Sequence, residues 1–308
     1  MLRVTRMIGL VLGAFCSSVL FASVYELKRE DGSPVVFHMH TPDRELPTAM
    51  LIHIRSPHCH SVADLHLNDV QILANKKLIH VSVEAPGIGV HQSYEQCPPE
   101  FLERMDLHSY VEDHLRVVAH LRANMPLWDG RLFLMGEDEG SFAASEMASV
   151  LFPEKLLLLG GGVGDTIANS LPLAQEKKMR ARGDGEDVIR STLAQFPVRY
   201  QEILSNPTSD KLWLWADRSY FYWSSALFYE GWNDVFRFGG PTLVMHAELD
   251  EVFPVESSQL LYDRAARRGL GFVEYRSVLN LSNGFIRPDG TSARSEVLEQ
   301  ALNWFLAN

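Results

Sequence analysis

The sequence predicts an α/β fold: a mostly parallel sheet of about eight strands, helices on both faces, and a helical insertion late in the chain. Two observations lead there. Short apolar runs of strand length alternate with stretches of helical periodicity along most of the chain. Residues 132–145, Leu-Phe-Leu-Met-Gly-Glu-Asp-Glu-Gly-Ser-Phe-Ala-Ala-Ser, read as a buried strand, a tight turn between Gly136 and Gly140, and a helix of small residues.

The elements follow in order. Residues 23–31 and 33–42 flank the turn signal Glu30-Asp31-Gly32 and read as a hairpin. Residues 48–56 (TAMLIHIRS) form a continuous apolar run, as in a strand buried on both faces. Residues 61–77 have a helical pattern, and 78–87 read as a second buried strand. Between 98 and 124 the apolar residues Leu107, Tyr110, Val111, Leu115, Val118 and Leu121 recur at helical spacing. A strand (130–136), a helix (141–152) and a strand (155–162) come next. Residues 164–240 break the alternation: they read as largely helical, carry the aromatic stretch WLWADRSYFYWSSALFYEGW, and look like a lid. Strand, helix, strand and helix then resume from Pro241 to the end. A parallel sheet with crossovers accounts for this order.

Composition bounds the function. The chain has 308 residues, 46% hydrophobic and 22% charged, which is enough for one large domain with a real core. Its formal charge of −11 disfavours phosphate backbones and anionic lipid headgroups, so neither nucleic acid nor a membrane surface is expected as a partner. The first 23 residues carry Arg3 and Arg6, an apolar run from Met7 to Ala22, and small residues after it. This is the pattern of a secretory signal peptide, leaving 24–308 as the folded domain; the apolar run is short of the ~20 residues that a spanning helix needs. Periplasmic or secreted localisation follows, without stable membrane insertion after cleavage. Removal of the signal takes Cys16 and leaves Cys59 and Cys97, an even pair in an oxidising compartment. A disulfide is expected, against the alternative of two unrelated thiols.

The strand, G-x-X-x-G turn and helix around Asp138 resemble the nucleophile elbow of the α/β-hydrolase superfamily. Glu139 and Gly140 match the G-x-S-E-G elbow of its dienelactone-hydrolase and acyl-thioesterase-like branch, with Asp138 in place of the serine. The resemblance runs along the whole mature chain. It places an oxyanion loop at Arg55, Ser56, Pro57 and His58, the triad acid at Asp250, and the triad histidine at Asn283, before Gly284 and Phe285. No histidine follows His246, which precedes Asp250, so none is available to the usual last-strand loop. An amide does not titrate near neutral pH and cannot shuttle a proton. Pro57 has no N–H to give to an oxyanion.

Other clusters have plainer readings. His58, Cys59, His60 and His66 include good zinc ligands, but Cys59 has a partner in Cys97 and a helix start separates His60 from His66. No metal and no cofactor are expected. His108, His114 and His120 are six residues apart, which does not stack them on one helical face, so they read as surface or packing residues. The aromatic stretch at 213–232 is either a ligand-contacting wall or a helix packed on the core. Asp138 could serve only to cap the following helix. Asp138 and Asp250 would converge in the pocket, where they repel unless a proton or cation lies between them. Two classes of function remain. One is a hydrolase of esters, thioesters or related carbonyl compounds with an altered site. The other, favoured by the missing base, is a non-catalytic protein that binds a small molecule or a partner.

Overall fold

The computed structural model describes residues 23–42, 46–64, 72–73, 76–90, 97–215 and 217–307. The segment read as an export signal lies outside them apart from Ser23, as do His66 and most of the helix expected at 61–77.

Eight strands form one sheet: β1 (Ser23–Lys28), β2 (Pro34–His40), β3 (Thr48–Ile54), β4 (Ile79–Val83), β5 (Trp128–Glu137), β6 (Lys155–Leu159), β7 (Thr242–Leu249) and β8 (Val273–Ser282). Their order is β1-β2-β4-β3-β5-β6-β7-β8. β1 and β2 pair antiparallel, and β2 pairs antiparallel with β4. Every pairing from β4 through β3 to β8 is parallel.

The strand side chains divide by the period of two. In β3, Met50, Ile52 and Ile54 join the larger core cluster, while Ala49 and Leu51 join the other. The smaller core packs against α10 (Arg294–Leu306) through Val297, Leu298, Ala301, Leu302 and Phe305. The larger one takes α2 (Leu107–Asn124), α3 (Gly140–Leu151), the insertion and α9 (Val255–Arg267).

The single helical stretch read between 98 and 124 is two helices, α1 (Pro99–Arg104) and α2. Asp106 separates them: its carboxylate accepts from the backbone N–H of His108 (2.9 Å) and Ser109 (3.1 Å), an N-cap that starts a new helix. On α2, His114 is fully buried and His108 and His120 are exposed. Between β6 and β7 the chain forms α4 (Ile167–Arg182), α5 (Glu186–Leu193), α6 (Gln195–Ser205), α7 (Tyr220–Ala226) and α8 (Gly231–Phe238). The aromatic stretch is mostly core: Tyr220, Tyr222, Trp223 and Trp232 are buried. Cys59 and Cys97 form a disulfide with Cα atoms 5.2 Å apart. Among the described residues, no helix is long and apolar enough to cross a membrane.

Candidate functional site

A tight turn joins β5 to α3 at the carboxyl end of the sheet. Asp138 sits there with φ of 49°, a left-handed conformation uncommon outside glycine. Its N–H donates to Leu159 O at 2.8 Å, and its carbonyl accepts from the N–H of Ser141 at 3.0 Å. The glycines make room. A Cβ on Gly136 would lie 2.5 Å from Ser141 Cα, and one on Gly140 would lie 2.3 Å from Ile54 O and 2.5 Å from Arg55 O. Both approaches are closer than a side chain allows. Asp138 does not cap α3: the N-cap is Glu139, and it makes no side-chain capping bond.

Three of the residues picked from the sequence come together. A Cβ added at Gly160 would lie 2.8 Å from Asp138 Oδ1 and 4.0 Å from Asp250 Oδ2, so both carboxyls face one point beside β6. Asn283 follows β8, and its Nδ2 donates to Asp250 Oδ2 at 3.2 Å and Oδ1 at 3.4 Å. Asp250 Oδ1 also accepts from the N–H groups of Val252 (2.8 Å) and Phe253 (2.9 Å). Asp250 is therefore well supplied with donors. Among the described residues, none hydrogen-bonds or ion-pairs the Asp138 carboxyl.

The two neighbours of Asp138 fare differently. Glu137 pairs with Arg294 of α10, whose Nη2 lies 2.8 Å from Oε2, and His53 Nε2 lies 3.2 Å from the same oxygen. Arg55 Nη1 is 3.9 Å from it. Burial alone would raise the pKa of Glu137, but Arg294 and Arg55 outweigh it and hold the group well below the usual range. Glu139 takes Arg218 in both arms: Nε to Oε1 at 3.1 Å and Nη2 to Oε2 at 2.5 Å. Ser56 Oγ (2.5 Å) and Tyr222 OH (2.7 Å) also donate to it. Burial again pushes Glu139 up, and Arg218, Ser56 and Tyr222 pull it below its ordinary value. Asp138 has burial and three carboxylates against it. Desolvation, then Glu137, Asp250 and Glu139 drive its pKa well above the normal carboxyl value, and Arg294 opposes them only weakly.

The remaining sequence picks lie on the β3 side. Ser56 is committed to Glu139. His58 is exposed, and its Nδ1 lies 2.8 Å from Asp217 Oδ2. Arg55, Ser56, Pro57, His58, His60 and Tyr110 line one cavity beside this loop. No group of three or more His, Cys, Asp or Glu among the described residues is placed to hold a metal.

Sequence reasoning missed several residues. Arg218 and Arg294 lie 79 and 157 positions from the carboxylates they neutralise, and no local period marks them. His246 was set aside because it precedes Asp250 in the chain. In space its Nε2 is 3.4 Å from Asp250 Oδ2, but it is fully buried, with Nε2 3.0 Å from Phe253 O and Nδ1 2.6 Å from Ser258 Oγ. It supports the Asp250 loop from within the core. Ser141, three residues past Asp138, does not stand in for the missing hydroxyl: it is fully buried, and a Cβ on Gly161 would lie 2.2 Å from its Oγ.

The fold has counterparts among solved structures. Est1E from Butyrivibrio proteoclasticus superposes with a TM-score of 0.60 at 14% identity, covering 92% of this chain and 97% of that one. The Pyrococcus furiosus esterase PF2001 superposes with a TM-score of 0.60 at 13% identity, covering 98% and 95%. The fold is that of the α/β-hydrolases. An alpha-beta serine hydrolase homologue from Coxiella burnetii is a further likeness, with a TM-score of 0.53 at 15% identity over 94% of this chain and 100% of that one. No protein-family model and no curated protein matches the sequence. The α/β-hydrolase likeness is thus one of architecture, and the chemistry must be argued from the side chains.

Proposed function

We propose that this chain is an exported α/β-hydrolase-fold protein whose triad positions have lost acyl-transfer chemistry, and that it binds a small molecule or a partner at that site. The observation that carries this reading is the Asn283 side chain, whose Nδ2 lies 3.2 Å from Asp250 Oδ2 where the superfamily resemblance puts a histidine. An acid oriented towards an amide has no proton acceptor to activate. Three further features support it. Asp138 brings a carboxyl whose neutral form is favoured, which is a poor nucleophile. Pro57 offers no N–H in the loop after β3. His246, although beside Asp250, has both ring nitrogens engaged in the core. The Cys59–Cys97 bridge is in keeping with export.

Steady-state hydrolysis of p-nitrophenyl esters tests the reading. Wild type, Asp138→Ser and Asn283→His should stay at background, because triad members act as a unit. Weak activity should appear first in Asp138→Ser/Asn283→His, which combines nucleophile, acid and base. Multiple turnovers by the wild type that vanish in Asp138→Asn would sink the proposal. They would make Asp138 a working nucleophile served by another base, with His58 or His60 the first to test.

A further inference from the structure

The helical insertion is fastened to the Asp138 turn by one unusual contact. Arg218 precedes α7 and is only 1% exposed, so a full positive charge is sealed inside the protein. Its counter-charge is Glu139, the residue next to Asp138, held through Nε at 3.1 Å and Nη2 at 2.5 Å. The same carboxylate collects Tyr222 OH of α7 at 2.7 Å and Ser56 Oγ of the loop after β3 at 2.5 Å. Arg218 also lies over the ring of Tyr222, 5.0 Å from its centroid, and reaches Asp217 Oδ2 through Nη1 at 3.0 Å. Asp217 in turn pairs with the exposed His58. One carboxylate therefore joins the turn, the loop after β3 and the insertion.

We propose that Glu139 and Arg218 form a latch that pins the insertion to the Asp138 turn, so that the insertion is kept closed by a carboxylate of the turn itself. The latch operates whether or not the site turns over a substrate. Two physical points give it this role. A buried guanidinium that loses the carboxylate bonded to it twice keeps only the single contact with Asp217, so parting the insertion from the turn carries a high cost. Two other polar ties of α7 and its N-cap Ser219 leave the insertion, and they run to α1 and α2: Ser219 Oγ donates to Leu102 O at 3.2 Å, and Ser225 Oγ accepts from the Leu107 N–H at 3.0 Å. Those would hinge the insertion, while the Glu139 contact alone ties it to the turn by a charge pair.

Hydrogen exchange on the full chain, read by mass spectrometry, tests the latch. Glu139→Gln keeps the shape and removes the charge. The amides of 218–227 should then exchange about tenfold faster or more, and should open at a lower free energy than those of β5 and β6, whose exchange rises only with the fall in global stability. If that single variant is too unstable to read, Glu139→Gln/Arg218→Met decides, because it removes both buried charges and leaves Asp217 its contact with His58; the same local acceleration is expected. Wild-type exchange of 218–227 in the double variant would overturn the latch and assign the attachment to packing around Trp223. Opening of 218–227 at the same free energy as β5 and β6 would overturn it too, since the insertion would then open only with the global fold.

Discussion

Glu137, Asp138 and Glu139 are consecutive carboxylates in one turn, yet the flanks and the tip of that turn obey opposite rules. Each flanking glutamate is buried and matched by an arginine brought from far along the chain, Arg294 for one and Arg218 for the other. The tip is matched by nothing among the described residues and instead faces Asp250 across Gly160. The flanks thus follow the rule that a buried charge is compensated. The tip follows another route: burial and then like charge push the pKa of its carboxyl well above the usual value. A motif-level reading that treats the three as one acidic patch would miss that two are ionic struts and one is a carboxyl whose pKa is pushed up.

The largest effect should come from breaking a flank. Glu139→Gln leaves the buried Arg218 with only Asp217 as counter-charge, and a loss of about 3–5 kcal/mol is expected in urea unfolding at neutral pH. The loss should shrink as pH falls through the depressed pKa of Glu139, because the wild type loses the same charge there. A loss below about 1 kcal/mol, the level of a surface pair, would mean that the flank is not a strut.

Changing the tip should work in the other direction. The folded pKa of Asp138 is raised, so its stabilising contribution is complete below the unfolded value near 4 and is lost as pH rises through the folded pKa. Asp138→Asn should therefore match the wild type near pH 4. It should gain about 1.4 kcal/mol for each unit by which the folded pKa exceeds the unfolded one, up to the working pH. Thermal melts from pH 4 to 9 measure this. A constant difference between the two proteins across that range would show that Asp138 titrates normally and would remove the contrast between tip and flanks.

The smallest effect belongs to the outer end of the same network. His58 is half exposed where it meets Asp217. His58→Ala should cost less than about 1 kcal/mol, and the cost should fade at high salt. A larger, salt-independent loss would extend the buried network out to His58.

Much of the fold was legible because it is written locally. The runs at 48–56 and 155–162 have strand length and no polar face, and Gly136 and Gly140 frame a turn of one kind. Asp106 was also there to be read as a cap dividing α1 from α2, and the longer helical period masked it. The convergence of Asp138, Asp250 and Asn283 could be anticipated only by resemblance, since no spacing in a single chain brings three loops together. Arg218 and Arg294 were invisible for a physical reason. Their role depends on burial beside a distant carboxylate, and a lone arginine in an aromatic or helical segment looks the same whether it is sealed in or solvated. His246 differs again: chain order keeps it out of the last-strand loop, and β7 places it beside Asp250.

The geometry of the turn at Asp138 is held by its neighbours and not by its own side chain. Gly136, Gly140 and Gly161 let backbone and Ser141 approach to distances that no Cβ permits, and these contacts fix the left-handed bend at 138. The position therefore behaves as a socket: the scaffold supplies the shape, and residue 138 supplies only the functional group. A change of one side chain there swaps the chemistry on offer while the framework stays intact. Such a site can lose one activity and be recruited to another without passing through an unfolded intermediate sequence.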